Sequence, residues 1–229
     1  MKLVFSITSL WVILYLHQKS CYGAVNIIEP EMYIQKLVKR FVEMLEIRYL
    51  SNDLPIDDYV APINISSYGI AVVGNVSFHS AFVARIGSIK VNLQQISNVL
   101  LSTEMQINTN VFWEQVGVVL DFQAELEGYR GPGTLMVTYK QFRLPLKTSR
   151  TFATGQLSGS LLFESISNQN EIEIVGHPND VHVQMIARAI ITDIYFRRYM
   201  IASFERWNFQ NVLSAAMQEI PYPEICYNC

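Results

Sequence analysis

Few side chains in this sequence have the types and spacing that covalent chemistry requires. Histidine occurs four times in 229 residues, and beyond residue 23 only His79, His177 and His182 remain. His177 and His182 stand five apart around Asn179-Asp180, whereas two ligands on one helical face need a spacing of three or four. They read as solvated or capping groups. Gly-x-Ser-x-Gly, His-Glu-x-x-His, phosphate-loop and Gly-x-Gly-x-x-Gly patterns do not occur, which removes the common signatures of hydrolases, zinc peptidases and nucleotide enzymes. Cys226 and Cys229 have redox-motif spacing, but that chemistry works at a helix start in a βαβ setting. Here the pair follows Pro221-Tyr222-Pro223 at the chain end, so a local disulfide is expected. The sequence thus predicts no catalysis, no metal and no cofactor.

One charged group remains. Lys140, Arg143, Lys147 and Arg150 form a basic run with no acid among them, and such a run can meet anionic lipid head groups. The chain as a whole is not basic. Leaving out Lys2 and Lys19, 15 of the 17 basic residues face 20 acids, a formal charge of about −5, which gives a phosphate backbone little to hold. Nucleic acid is excluded as a partner on that ground.

The N-terminus carries Lys2, an apolar run from Leu3 to Leu16, then a polar stretch ending in Gly23. That is the layout of a secretory signal peptide, and it is shorter than the roughly 20 residues a membrane-spanning helix needs. Cleavage is expected after Gly23, with Ser20 as the alternative, so residues 1–23 leave and a single domain spans 24–220 with a tail at 221–229. Two sequons, Asn64-Ile65-Ser66 and Asn75-Val76-Ser77, mark Asn64 and Asn75 as glycosylation positions in a secreted chain. Half the residues are hydrophobic and only 16% are charged, below the usual quarter. With two cysteines left, stability has to come from a packed core.

The elements follow from periodicity. Pro30 and Glu31 suit a helix start, and Ile34, Leu37, Phe41 and Leu45 recur at helical spacing, predicting an amphipathic helix from Pro30 to Tyr49. Asn52 to Pro62 reads as loop. Tyr68 to Ile86 and Val111 to Glu127 alternate with period two, and shorter strands are expected at 90–95, 100–107, 134–144, 153–164 and 171–175. Gly128 to Gly133 reads as a turn. Asp180 can cap a helical stretch that Pro221 stops, about 40 residues with a kink near Tyr199 to Ser203. Its middle is apolar in nearly every direction, so it must be enclosed. The architecture expected is α+β: a curved antiparallel sheet, a super-roll, wrapped around a long C-terminal helix. An apolar ligand in the seam would then be lined by Phe78, Phe82, Phe112, Val116, Val118, Leu120, Phe122, Ile190 and Ile194.

The order of these elements, with Tyr-Gly-Ile-Ala-Val-Val-Gly-Asn-Val-Ser-Phe at 68–78, Arg-Ile-Gly-Ser-Ile-Lys-Val at 85–91 and the helix from Asp180 to Phe204, resembles the group 7 mite allergens. Those look like one half of the bactericidal/permeability-increasing protein fold within the tubular lipid-binding superfamily. The resemblance runs from about Pro30 to Glu219. It implies a super-rolled sheet around a long helix, an apolar groove between them, and binding of lipid or lipopeptide. With the signal peptide, the expectation is a secreted, extracellular protein for a lipid, lipopeptide or terpenoid, with an allergen-like interaction scaffold lacking any ligand as the other reading. The insect takeout and juvenile-hormone-binding proteins are similar more distantly. They carry an N-terminal cysteine pair, where this chain has only Cys21.

Overall fold

The computed structural model describes residues 25–50, 54, 56–67, 69–163 and 172–227. The predicted signal peptide, Tyr68, Glu171 and Cys229 lie outside the described residues. Strand β1 (Val25–Ile27) leads into helix α1 (Pro30–Leu50). Pro30 opens the helix where its missing N–H would have no partner anyway. Tyr33, Ile34, Leu37, Val38, Phe41 and Leu45 make the buried stripe.

The sheet follows: β2 (Tyr59–Ser67), β3 (Ile70–Arg85), β4 (Ser88–Val91), β5 (Ser97–Leu100), β6 (Glu104–Leu126), β7 (Tyr129–Thr151), β8 (Leu157–Leu161) and β9 (Ile172–His177). All pairs are antiparallel. β2, β3, β6, β7 and β8 form the main path, β4 and β5 extend the β3 side of β6, and β9 lies beside β7. The result is the α+β architecture the sequence led us to expect, a large curved antiparallel sheet with C-terminal helices.

The spine is the β6–β7 hairpin, 23 residues in each strand. Its turn is only Glu127-Gly128, with Gly128 at φ +79°. The longer turn expected at Gly128 to Gly133 is therefore wrong, since Gly131-Pro132-Gly133 belong to β7. Gly133 is glycine because the Phe122 ring occupies the space a Cβ would take. Pro132 lies beyond the reach of β9, which pairs with Thr134 to Tyr139, so its missing donor is not needed on that side. Pro62, expected in a loop, sits in the edge strand β2, where proline is tolerated for the same reason.

Both long strands change face midway. In β6 the buried residues are Met105, Ile107, Thr109, Val111 and Trp113, then Val116, Val118, Leu120 and Phe122. Gln115 takes a left-handed φ of +60° between the two sets. β7 switches in step, from Leu135, Val137 and Tyr139 to Phe142, Leu144 and Leu146, because the register holds across the switch, with Glu114 opposite Gln141 and Val116 opposite Tyr139. In β3, Ser80 at φ +52° and a register shift between His79 and Phe82 do the same. A side-chain period of two makes one inserted kink exchange the faces.

The single long helix expected at the C-terminus is three: α2 (Val181–Thr192), α3 (Ile194–Glu205) and α4 (Phe209–Glu219). Asp180 caps α2, its carboxylate accepting from the Val183 N–H at 2.9 Å. Asp193 ends α2 with its own N–H and starts α3 with its side chain, which accepts from the Tyr195 N–H at 2.8 Å. Asn208, at φ +57°, separates α3 from α4. The breaks thus fall at Asp193 and Asn208, not at Tyr199 to Ser203. Nor is the rod enclosed on all sides, since Ile194 is 47% and Tyr195 67% exposed. The chain then returns as β10 (Ile225–Tyr227), which pairs with β1 so that Cys226 faces Asn26. No helix among the described residues is long and apolar enough to cross a membrane.

Candidate apolar groove

The core between sheet and helices is built from rings. Trp113 stands at its centre, with ring centroids 5.9 Å from Phe142, 6.0 Å from Phe204, 5.9 Å from Trp207 and 5.5 Å from Phe209. Its indole N–H donates to the Ile86 carbonyl. Further along, Phe78 joins Phe122 at 6.0 Å and Phe196 at 5.8 Å. The region where the sequence put an open seam is, in these stretches, side chain against side chain.

The nine residues expected to line a ligand divide accordingly. Phe78, Val116, Val118, Leu120, Phe122 and Ile190 are buried in this core. Phe82 does not face it, because the switch at Ser80 turns it out to 52% exposure. Phe112 alternates with buried Val111 and Trp113 and so lies half-buried on the other face of the sheet, beside Glu114. Ile194 falls on the wet side of α3.

A buried hydroxyl in this core lacks a counterpart. The Tyr139 side chain is fully buried and its hydroxyl has no hydrogen-bond partner. A buried donor left unmade costs about 1–3 kcal/mol. Tyr139→Phe should therefore raise stability by about 1 kcal/mol in urea denaturation, and a loss of stability would contradict the assignment.

An apolar concavity lies elsewhere, between α1 and the segment from β4 to the 3-10 turn at Leu93–Gln95. It is an open groove of about 660 Å³, lined by Val38, Val42, Ile89, Val91 and Leu93, with Gln35, Lys39, Glu43, Glu46 and Lys90 around them. The geometry has a simple origin. β4 pairs with the first half of β6, Lys90 opposite Phe112, and α1 lies across it with Val38 and Val42 one turn apart.

Two of the four rim charges, Glu43 and Lys90, are held in ion pairs. Arg40 bridges Glu43 at 3.1 Å and Glu219 at 2.6 Å, which ties α1 to α4 and keeps the Glu219 carboxyl below its ordinary range through the hydrogen bond from Arg40. Lys90 reaches Glu114 at 2.5 Å, and its hydrogen bond lowers the Glu114 pKa likewise. The floor is apolar, the rim polar and of mixed sign. That can bury an alkyl or ring system and leave a polar end in water.

Two smaller cavities differ in character. One of about 280 Å³ lies between the start of α1 and residues Ile220 to Glu224. The other, about 460 Å³, lies against His79, Asp121, Thr134 and His177, which stand opposite one another on β3, β6, β7 and β9. The Thr134 hydroxyl donates to Asp121 at 2.7 Å. His79 and His177 are three strand spacings apart, roughly 14 Å at about 4.8 Å each, too far to share an ion. His182 instead stacks on Tyr129 at 4.7 Å. Among the described residues no group of three or more His, Cys, Asp or Glu is placed to hold a metal.

Cys226 is disulfide-bonded; Cys229, its expected partner, lies outside the described residues. Lys140, Arg143, Lys147 and Arg150 are all exposed along β7, on one strand rather than a hairpin, with Arg143 donating to Asn110 at 3.0 Å.

No protein-family model matches this chain. No curated protein matches it either. Among solved structures, a lipopolysaccharide binding protein is similar at 10% identity and a TM-score of 0.36, over 80% of this chain and 36% of that one. The chain therefore spans about a third of the length of that protein.

Proposed function

We propose that this chain is a secreted, extracellular binding protein for lipids or other small apolar ligands, seated in the groove between α1 and β4. The observation that carries the reading is the groove itself, about 660 Å³ over a floor of Val38, Val42, Ile89, Val91 and Leu93, a size within the range of small-molecule sites. The sequence resemblance to the group 7 mite allergens supports lipid or lipopeptide as ligand, and the apolar floor would equally suit a terpenoid. Signal-peptide layout supports the compartment. The role is carriage or sensing, not catalysis.

Burial of about ten methylenes at about 0.8 kcal/mol each yields roughly 8 kcal/mol before ordering costs. Affinity is accordingly expected to be micromolar or weaker. A fluorescent fatty-acid probe tests this. Val42→Trp fills the groove and should weaken probe binding by at least about tenfold, whereas Val60→Ser, on the far edge strand, should leave it unchanged. Absence of probe binding, or equal binding by the Val42→Trp variant, contradicts the assignment.

The basic row from Lys140 to Arg150 extends the proposal to anionic head groups. Equal binding to anionic and neutral vesicles would remove that part. A second reading, a protein-interaction scaffold without ligand, draws on the ring-filled core around Trp113. It requires that no apolar probe bind at all.

A further inference from the structure

The edge strand β2 has an unusual composition. Its nine residues, Tyr59–Ser67, include no Asp, Glu, Lys or Arg, and β3 has none before Arg85. Among the described residues β2 has one strand neighbour, β3. The outward residues are Val60, 56% exposed, then Pro62, Asn64 and Ser66, against Ala71, Asn75 and Ser77 on β3. A long edge without charge is a template for pairing with another chain, and folded proteins ordinarily block such edges with lysine, proline or a covering group. Pro62 removes one donor. Helix α2 packs against the strand, but no charged side chain of β2 itself blocks its outer edge.

Both sequons fall in this place. Asn64 and Asn75 are exposed, as are Ser66 and Ser77. Pro62 is directly opposite Asn75 and Asn64 opposite Val73, so the two asparagines share the outer face as diagonal neighbours, about 7–8 Å apart. We propose that Asn64 and Asn75 both carry N-linked glycans, and that this pair guards the β2 edge against pairing with a second copy of the chain.

The chemistry is a glycosyl transfer from a lipid-pyrophosphate-linked oligosaccharide. The side-chain amide nitrogen forms a bond to the anomeric carbon, the carbon–oxygen bond to pyrophosphate breaks, the lipid pyrophosphate leaves, and the amide loses one proton. The glycans do not obstruct the groove. Asn75 pairs with Glu125 and Lys90 with Phe112, 13 residues apart along β6, roughly 40 Å at about 3.3 Å per residue.

The test expresses the full chain in eukaryotic secretory cells and measures intact mass and oligomeric state. Two glycans are expected, one lost in each of Asn64→Gln and Asn75→Gln, on a monomer. Removing both sequons should move most of the protein to dimers and larger species at concentrations where the glycosylated chain is monomeric. Ser66→Ala/Ser77→Ala removes the sequons and keeps the asparagines, which separates lost glycans from a damaged fold. Zero or one glycan overturns the paired site. Sequon-free protein that stays as monomeric as the glycosylated form overturns the guarding role.

Discussion

Trp113→Ala is expected to cost about 3–5 kcal/mol, the largest effect of any single truncation in this molecule. Four helix and sheet rings meet the indole within 6.0 Å: Phe142, Phe204, Trp207 and Phe209. Together they join β6 and β7 to α3 and α4. Alanine leaves a cavity the size of an indole that these rigid rings cannot close, and it leaves the Ile86 carbonyl without its donor, a further cost of about 1–3 kcal/mol if water does not reach it. Against a typical domain stability of about 5–15 kcal/mol, much of the reserve would go. Urea midpoints measured beside Phe82→Ala, which truncates a ring that is 52% exposed, provide the check. The exposed site should change by under about 1 kcal/mol. Equal losses at the two sites would contradict the packing described.

Alkali should unfold the protein from the same interior. Tyr33, Tyr139 and Tyr222 are buried, and burial raises the pKa of each above the ordinary 10, that of Tyr222 to about 12. Tyr33 is pushed further by its neighbour Tyr222 and Tyr139 by Tyr199. Above pH 10 the unfolded chain releases phenolic protons that the native state still holds. Stability is therefore complete below about pH 10 and falls as pH rises toward the native values. Each such tyrosine removes up to about 1.4 kcal/mol per pH unit, so three remove about 4 kcal/mol per unit. Two units would exhaust an ordinary domain. Urea midpoints at pH 8, 9, 10 and 11, followed with phenolate absorbance, should stay level to pH 9 and then drop. Tyr59 and Tyr199 are raised by burial too, so Tyr139→Phe should make that drop shallower without abolishing it. Constant stability through pH 11 would refute the burial of these hydroxyls.

What the sequence made legible was whatever local chemistry settles. Pro30, Glu31 and the stripe of Ile34, Leu37, Phe41 and Leu45 defined α1 almost to the residue. Alternation marked β3 and β6, and Asp180 marked the start of α2. The failures share one cause: the deciding interaction lies far along the chain. Gln115 and Ser80 carry nothing in their side chains that announces a left-handed backbone; paired strands impose it, and with it Phe112 and Phe82 change face. Gly131-Pro132-Gly133 looks like a turn, but the glycine is there for the Phe122 ring. Asp193 interrupts an apolar stretch with a residue that can cap a new helix, a local sign of the break between α2 and α3. The groove was hidden because its two walls are about 50 residues apart and use the same residue types as any half-wet helix. Val38 at the margin of the buried stripe of α1 and Val42 beside it were its local sign.

The groove assignment is tested most directly by a spin-labelled fatty acid and methyl spectra of the protein. We expect broadening concentrated at the methyls of Val38, Val42, Ile89, Val91 and Leu93, with Val118 and Leu120 in the ring-packed core unaffected. Broadening confined to those core methyls, or none anywhere at millimolar probe, would contradict it.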